Sequence, residues 1–285
     1  MFQEQDRKGT VPETGIPLVS DPYRNRAAPD FLAKAPEIYR DMSFLEGIIT
    51  ATGLQEGDQG KNIAEFMSGT GMVGQAIAKR FPGNTLWYVD TSETQLKTIP
   101  DQEHVVVHDV RIGLPSQLPE LDGAVVRFGV KNLSKEEQQK FVSAIADRLA
   151  DGGWLVVADM VSPEGMQSWH NEERRLKHEL EGHDVERDGA GNMPYRQEWI
   201  SLLEKAGFEV KVAAPFKSGV KTITWKESGQ FVGDEAQQED ALRQMNRKLL
   251  DAPEDVRQAF NIREDGDLVR IDYPLLVFRA VKPAS

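Results

Sequence analysis

Asn62-Ile-Ala-Glu65-Phe-Met-Ser-Gly69-Thr-Gly71-Met-Val-Gly74 is the stretch whose reading decides the fold. A short apolar run ends in an acidic residue, a glycine-rich turn follows, and Val73 to Phe81 then carries helical spacing. The glycines let the backbone turn sharply and let a ligand approach where a Cβ would clash. Amides at the start of the next helix point outward, with the positive end of its dipole behind them. At the carboxyl end of a strand such a turn suits a nucleotide-like ligand bearing a carboxylate, phosphate or ribose. Glycine-rich strand–helix turns occur in many folds, so the neighbouring segments must carry the assignment.

Downstream, Pro82-Gly83-Asn84 ends the helix, and Thr85-Leu-Trp-Tyr-Val89 is a β run ending in Asp90, before Thr91-Ser-Glu-Thr opens another helix. Asp90 lies roughly 20 residues past the turn, the spacing at which a strand-tip carboxylate meets a ribose hydroxyl pair. Asp before Ser/Thr is also a common helix N-cap. His104 to His108 reads as a third strand, followed by Asp109-Val110-Arg111, and Asp122 to Arg127 as a fourth, followed by Phe128-Gly129-Val130-Lys131-Asn132. Ser134 and Glu137 have capping-box spacing for a helix reaching Leu149, and Trp154 to Asp159 is a fifth strand. Val-rich strands without alternation, separated by helical patterns, indicate a parallel sheet covered on both faces. The right-handed crossover then puts Glu65, Asp90, Asp109 and the Phe128–Asn132 loop at one edge.

Upstream, Pro12, Pro17, Pro22 and Pro29 mark an irregular arm, and Pro36 to Gly53 has helical spacing that could cover a ligand as a lid. Beyond strand five, the predicted elements are helices over Gln167–Glu181 and Tyr195–Ala206, a sixth strand over Phe208–Ala213 and a short one over Thr222–Trp225. A charged helical insert over Asp234–Phe260 and a seventh strand over Pro274–Val281 complete the chain. The Glu172–Lys177 and Glu235–Lys248 charge runs read as solvated helix faces.

The 285 residues carry 39% hydrophobic and 8% aromatic side chains, enough for an ordinary core, and a formal charge of −12. That charge argues against a nucleic-acid partner. No apolar run approaches a membrane span, Met1 to Lys8 lacks a signal-peptide core, and there is no cysteine, so the expectation is a cytoplasmic chain without disulfides.

In its order of parts, from roughly Ile38 to Phe208 plus the final strand, the chain resembles the class I S-adenosylmethionine (SAM)-dependent methyltransferases. The Phe128–Asn132 loop and the Gly152-Gly153 turn are similar to those of the ubiquinone/menaquinone-type C-methyltransferases. The resemblance implies an α/β fold: a doubly wound, seven-stranded, mostly parallel sheet with a reversed last strand, an N-terminal helical lid and an insert between strands six and seven. Its segments would be 1–57 (arm and lid), 58–213 (core), 214–273 (insert) and 274–285 (last strand). By position Glu65 matches the acid of motif I, Gly69 and Gly71 its glycines, Asp90 the ribose-binding acid and Asp109 the residue that contacts the adenine amino group. Met67, Ser68, Thr91, Val110 and Phe128 complete the implied SAM contacts. Two features depart from the family pattern: Met67 stands where motif I usually has glycine, and 214–273 is far longer than a simple hairpin.

The resemblance implies methyl transfer to a small-molecule N, O or C nucleophile. Because the cofactor carries the reactive bond, few catalytic side chains need be visible. Tyr39 could offer its ring to the sulfonium or simply pack. Asn132 could bond the ligand or cap its own turn, and Lys131 reads as a solvated loop lysine. His170 and Tyr195 are the candidates for a base accepting the nucleophile's proton. The spacing of His170, His178 and His183 lacks the i, i+4 pair of a helical zinc site, so no metal is expected. The alternatives are a lyase or cyclase consuming SAM at its aminocarboxypropyl arm and a non-catalytic SAM-binding protein. The expected partner is a small molecule, with no membrane, and a homodimer is the assembly left open.

Overall fold

A computed structural model describes residues 41–182, 193–266 and 268–284. The Val-rich runs form a parallel array because each apolar run is too short to be a helix and is bounded by turn residues. β1 (Asn62–Phe66), β2 (Thr85–Asp90), β3 (Val105–Val107), β4 (Leu121–Arg127) and β5 (Leu149–Met160) pair in parallel, and β10 (Pro274–Val281) enters antiparallel between β5 and β6 (Glu209–Lys217). The order is β3-β2-β1-β4-β5-β10-β6, the expected seven strands with the last one reversed.

Helices cover both faces. On one, α1 (Met42–Thr52) buries Phe44, Leu45, Ile48 and Ile49, beside Val73 and Ile77 of α2 (Met72–Arg80). On the other, Phe141, Val142 and Ile145 of α4 (Lys135–Arg148) and Trp199 and Leu203 of α6 (Arg196–Lys205) fill the second core. Ser134 caps α4 through the expected capping box with Glu137. A short α3 (Glu93–Leu96) follows β2, and α5 (Gln167–Leu180) follows β5.

The lid helix begins at Met42 rather than Pro36, because Asp41 is extended and its carboxylate accepts from the amides of Ser43 and Phe44. Gly53, at φ 73°, ends it as expected, and Arg279 of β10 donates from Nη1 to the carbonyls of Ala51 and Thr52. Phe44 stacks on Phe128 at 5.4 Å and meets Phe216 edge-on at 5.1 Å, so α1 is packed down on the sheet. Tyr39 and His183 lie outside the described residues.

The 214–273 segment differs from its sequence reading. Thr222–Trp225 is not a strand: β7 is Val220–Lys221, and α7 (Ile223–Glu227) takes the next residues. The single charged helix is two, α8 (Glu235–Leu250) and α9 (Glu254–Ala259), because Pro253 cannot continue a helix it would interrupt. A hairpin of β8 (Arg263–Asp265) and β9 (Leu268–Ile271) follows, and β7-β9-β8 form a second, small sheet. Met245, Leu249, Phe260 and Ile271 join it to the α1-side core.

Candidate functional site

β1 and β4 are neighbours, and their chains leave in opposite directions, β1 toward β2 and β4 toward β5. This topological switch opens a crevice at the carboxyl edge of the sheet. The glycine turn sits there. Its first residue, Met67, has φ 52°, and Gly69 and Gly71 have φ 53° and 70°. Both positions favour glycine for conformation, and at Gly71 for space as well, since an added Cβ would lie 2.9 Å from the Tyr88 ring. Ser68 donates its amide to the Val89 carbonyl at 3.1 Å, while its buried hydroxyl has no hydrogen-bond partner among the described residues.

The three expected carboxylates all lie at this edge, in different settings. Glu65 is buried beneath the turn, where Oε2 accepts from the Gly74 amide at 2.7 Å and Oε1 from Val73 at 3.4 Å. It thus caps α2 from below. Burial pushes its carboxyl up to about 7, against the pull of the Gly74 amide and the Arg127 charge. Asp90 is half-exposed and ties the turn to β2: Oδ2 accepts from Gly69 at 2.7 Å and Oδ1 from Ser92 at 2.8 Å. Thr91 lies between these two anchor points. Asp109 caps the single helical turn Val110–Ile112 and holds the Arg111 guanidinium through Nε and Nη2. Burial raises its carboxyl, but the bonds and charge of Arg111 outweigh that and keep it below its usual value. Val110 is buried in the α4-side core.

At the end of β4, Phe128 is a second non-glycine residue with positive φ, 57°. Such residues are strained, by about 1–3 kcal/mol, and collect at functional sites. Asn132 serves its own turn, with Nδ2 donating to the Phe128 carbonyl at 3.3 Å. Lys131 is not a solvated loop lysine. It is buried, with Nζ 3.3 Å from Asp159 Oδ1 and donating to the Phe128 carbonyl at 2.5 Å. Burial pulls its ammonium down to about 8, with Asp159 opposing and Arg174 and Lys177 pushing the same way.

The Glu172–Lys177 run is likewise not a solvated face. Glu173, Arg174 and Lys177 are buried with His170, His178 and Glu181, forming one wall of α5 beside the carboxyl end of β5 and the start of β10. Tyr273 donates its hydroxyl to Glu173 Oε1 at 2.7 Å, and Lys177 donates to Glu181 Oε1 at 2.5 Å and Gln230 Oε1 at 3.0 Å. Glu173 Oε2 is buried with no partner among the described residues. His170 stacks on Tyr273 and shares a 2.8 Å hydrogen bond between Nδ1 and Ser162 Oγ. Burial, helped by the Arg174 charge, pulls its pKa down to about 3. Tyr195, the other candidate base, opens α6, where its amide donates to Glu198 Oε2 at 3.2 Å.

The charge of these residues masks the buried wall in the sequence, although their spacing carries it. Positions 170, 173, 174, 177 and 181 repeat as a core-facing helical stripe does.

No known family's sequence profile matches the chain, and no curated protein matches it. Solved structures do. BH2331 of Bacillus halodurans, assigned as a methyltransferase, superposes with a TM-score of 0.69 at 20% identity over 85% of this chain and 100% of that one. The [4+2]-cyclase SpnF superposes at 0.50 and 16% identity over 85% and 81%. The plantazolicin methyltransferase BpumL, solved with SAH, superposes at 0.50 and 13% identity over 93% and 91%. What is shared at these identities is the fold, and the chain has the class I methyltransferase fold.

Proposed function

We propose that the chain is a SAM-dependent methyltransferase acting on a small molecule. The observation that carries this reading is the built crevice at the switch between β1 and β4, with strained backbone on both of its sides and the Ser68 hydroxyl buried there without a partner. A buried hydroxyl lacking a partner is costly, and a ligand carboxylate or amine at the turn would satisfy it. The groups at the edge fit SAM: the Ser68 hydroxyl for its amino-acid end, Asp90 for its ribose hydroxyls and Asp109–Val110 for its adenine. The similar fold of BpumL, which binds SAH, supports the same ligand.

SAM would supply an activated methyl group. The residues of this chain have the tasks of positioning and exclusion. Asp90, anchored to the Gly69 and Ser92 amides, receives hydroxyl protons with little reorganisation. The Phe44–Phe128 stack sets an apolar surface between α1 and the end of β4. The α5 wall, with His170 and Glu173 both fully buried and Glu173 bonded to Tyr273, stands beside the carboxyl end of β5 as a polar boundary of that edge.

The test is calorimetric titration of the full chain with SAH, together with mass spectrometry of any co-purified ligand and transfer from labelled SAM to a panel of small N–H, O–H and activated C–H acceptors. Binding of SAH and label transfer are expected. Neither binding nor transfer would end this reading. The likeness to a [4+2]-cyclase favours a second reading, in which the same crevice serves cyclase or lyase chemistry without methyl transfer. Methylthioadenosine formed without an added acceptor would select SAM cleavage.

A further inference from the structure

The Lys131–Asp159 pair is buried to a degree that a loop at a sheet edge does not require. Asp159 is 0% exposed and Lys131 6%. Removing two charges from water is unfavourable even when they meet, and such pairs are better understood as fixing one conformation than as adding stability. What this pair fixes can be followed bond by bond. Asp159 Oδ1 accepts from the Met160 amide at 2.8 Å, Oδ2 accepts from the Lys131 amide at 3.3 Å, and Oδ1 lies 3.3 Å from Lys131 Nζ. The carboxylate is thereby locked to the end of β5, and the lysine to it.

Lys131 Nζ in turn donates to the carbonyl of Phe128, a residue held at φ 57°, which also accepts Asn132 Nδ2 at 3.3 Å. The ammonium also lies 5.0 Å from the centroid of the Phe128 ring, so it touches both backbone and side chain of that residue, with the Arg127 guanidinium 5.7 Å from the same ring. The next residue, Gly129, is pressed against Met67: a Cβ built there would fall 2.2 Å from the Met67 sulfur and 2.9 Å from its Cβ. Met67, at φ 52°, is the first residue of the glycine turn. The chain of contacts therefore runs from Asp159 through Lys131, Phe128 and Gly129 to Met67 and the turn.

We propose that Lys131, anchored by Asp159, is a positioning residue that holds Phe128–Gly129 against Met67 and so sets the geometry of the Met67–Gly71 turn for its ligand. This inference rests on the reading of the turn as a SAM site. It also ties the turn to the buried wall, because the groups facing Lys131 are Asp159 from β5 and the Arg174 and Lys177 cations from α5. With the ammonium held near a pKa of about 8, the clamp is charged at neutral pH and is lost as the pH rises through that value.

The test uses the full chain and SAH as probe, titrated by calorimetry across neutral to alkaline pH. Wild type is expected to bind at neutral pH and to lose about tenfold in affinity above pH 8 or so. Lys131→Arg, which keeps its charge, is expected to hold its affinity there. The charge-free pair Lys131→Met/Asp159→Asn, checked for folding by circular dichroism, is expected to bind about tenfold more weakly at neutral pH, with a flatter profile. Wild type and Lys131→Arg giving superimposable profiles, or a folded double variant binding as wild type does, overturns the inference while the SAM reading stands. Failure of wild type to bind SAH at neutral pH overturns the reading itself and this inference with it. If the double variant does not fold, the comparison of wild type with Lys131→Arg decides alone.

Discussion

The Glu65 carboxylate accepts the Gly74 amide at 2.7 Å, so an acid near the end of β1 caps the helix that follows the glycine turn. Its carboxyl is raised from 4.5 to about 7, chiefly by burial. Between those values the folded chain holds a proton that the unfolded chain has released, so this group makes stability fall as pH rises through that window. Glu65→Gln keeps an acceptor oxygen and removes the titration. Melts from pH 5 to 8 should show wild type losing stability relative to Glu65→Gln, by on the order of 3 kcal/mol at most. Parallel pH profiles would show that the carboxyl is not perturbed.

Gly129 and Met67 form the contact between the two loops of the crevice, and the contact leaves no room for a methyl group. Gly129→Ala should destabilise by about 1–3 kcal/mol through overpacking. Met67→Gly removes the obstructing side chain at a position whose φ of 52° favours glycine, and so should relieve part of that loss. A double-mutant cycle read by denaturant titration is expected to give a coupling of about 0.5–2 kcal/mol. Additive losses would mean that the two loops move independently.

The sheet was legible in the sequence because its signals are local: Val-rich runs, glycine and proline punctuation, and acids at strand ends. The reversed strand could be read only through a resemblance, since nothing within Pro274–Val281 encodes its direction. Two kinds of feature were not legible. Phe128 and Met67 adopt positive φ that their residue types disfavour, and only the surrounding contacts impose it. On α5 the usual rule of amphipathicity is turned round: Trp169, Leu176 and Leu180 are partly buried, whereas Glu173, Arg174 and Lys177 are fully packed inside. Charge pairing and the Tyr273 hydroxyl make that burial tolerable, and both come from residues distant in sequence. Glu65, Asp90 and Asp109 were placed at the right edge by topology alone, but their hydrogen-bond partners emerge only from the folded chain.

Among the described residues, Glu173 Oε1 accepts the Tyr273 hydroxyl at 2.7 Å and Oε2 has no hydrogen-bond partner. Tyr273→Phe should therefore cost about 1–3 kcal/mol, the penalty of leaving a buried acceptor unsatisfied. Burial already raises the Glu173 carboxyl and the tyrosine opposes it, so the variant should raise it further. A group whose folded pKa is raised loses stability as pH rises, and the penalty should be larger at pH 8 than at pH 5. Chemical denaturation at the two pH values measures this, and a penalty independent of pH would indicate that Glu173 stays protonated throughout.

Asp90 separates a structural role at the turn from a ligand-binding one. Its carboxylate bridges the Gly69 and Ser92 amides, so Asp90→Ala removes two charge-assisted hydrogen bonds and should lower stability by about 1–3 kcal/mol whatever the ligand is. Asp90→Asn keeps one acceptor oxygen, so it can retain one of the two bonds and should lose less stability than Asp90→Ala. If the carboxylate also receives a ribose hydroxyl pair, the asparagine variant should still lose about tenfold or more in affinity for SAH, because its amide cannot accept both hydroxyls. Calorimetry on the asparagine variant, alongside its melting temperature, distinguishes the roles: unchanged affinity with lowered stability would confine Asp90 to the turn.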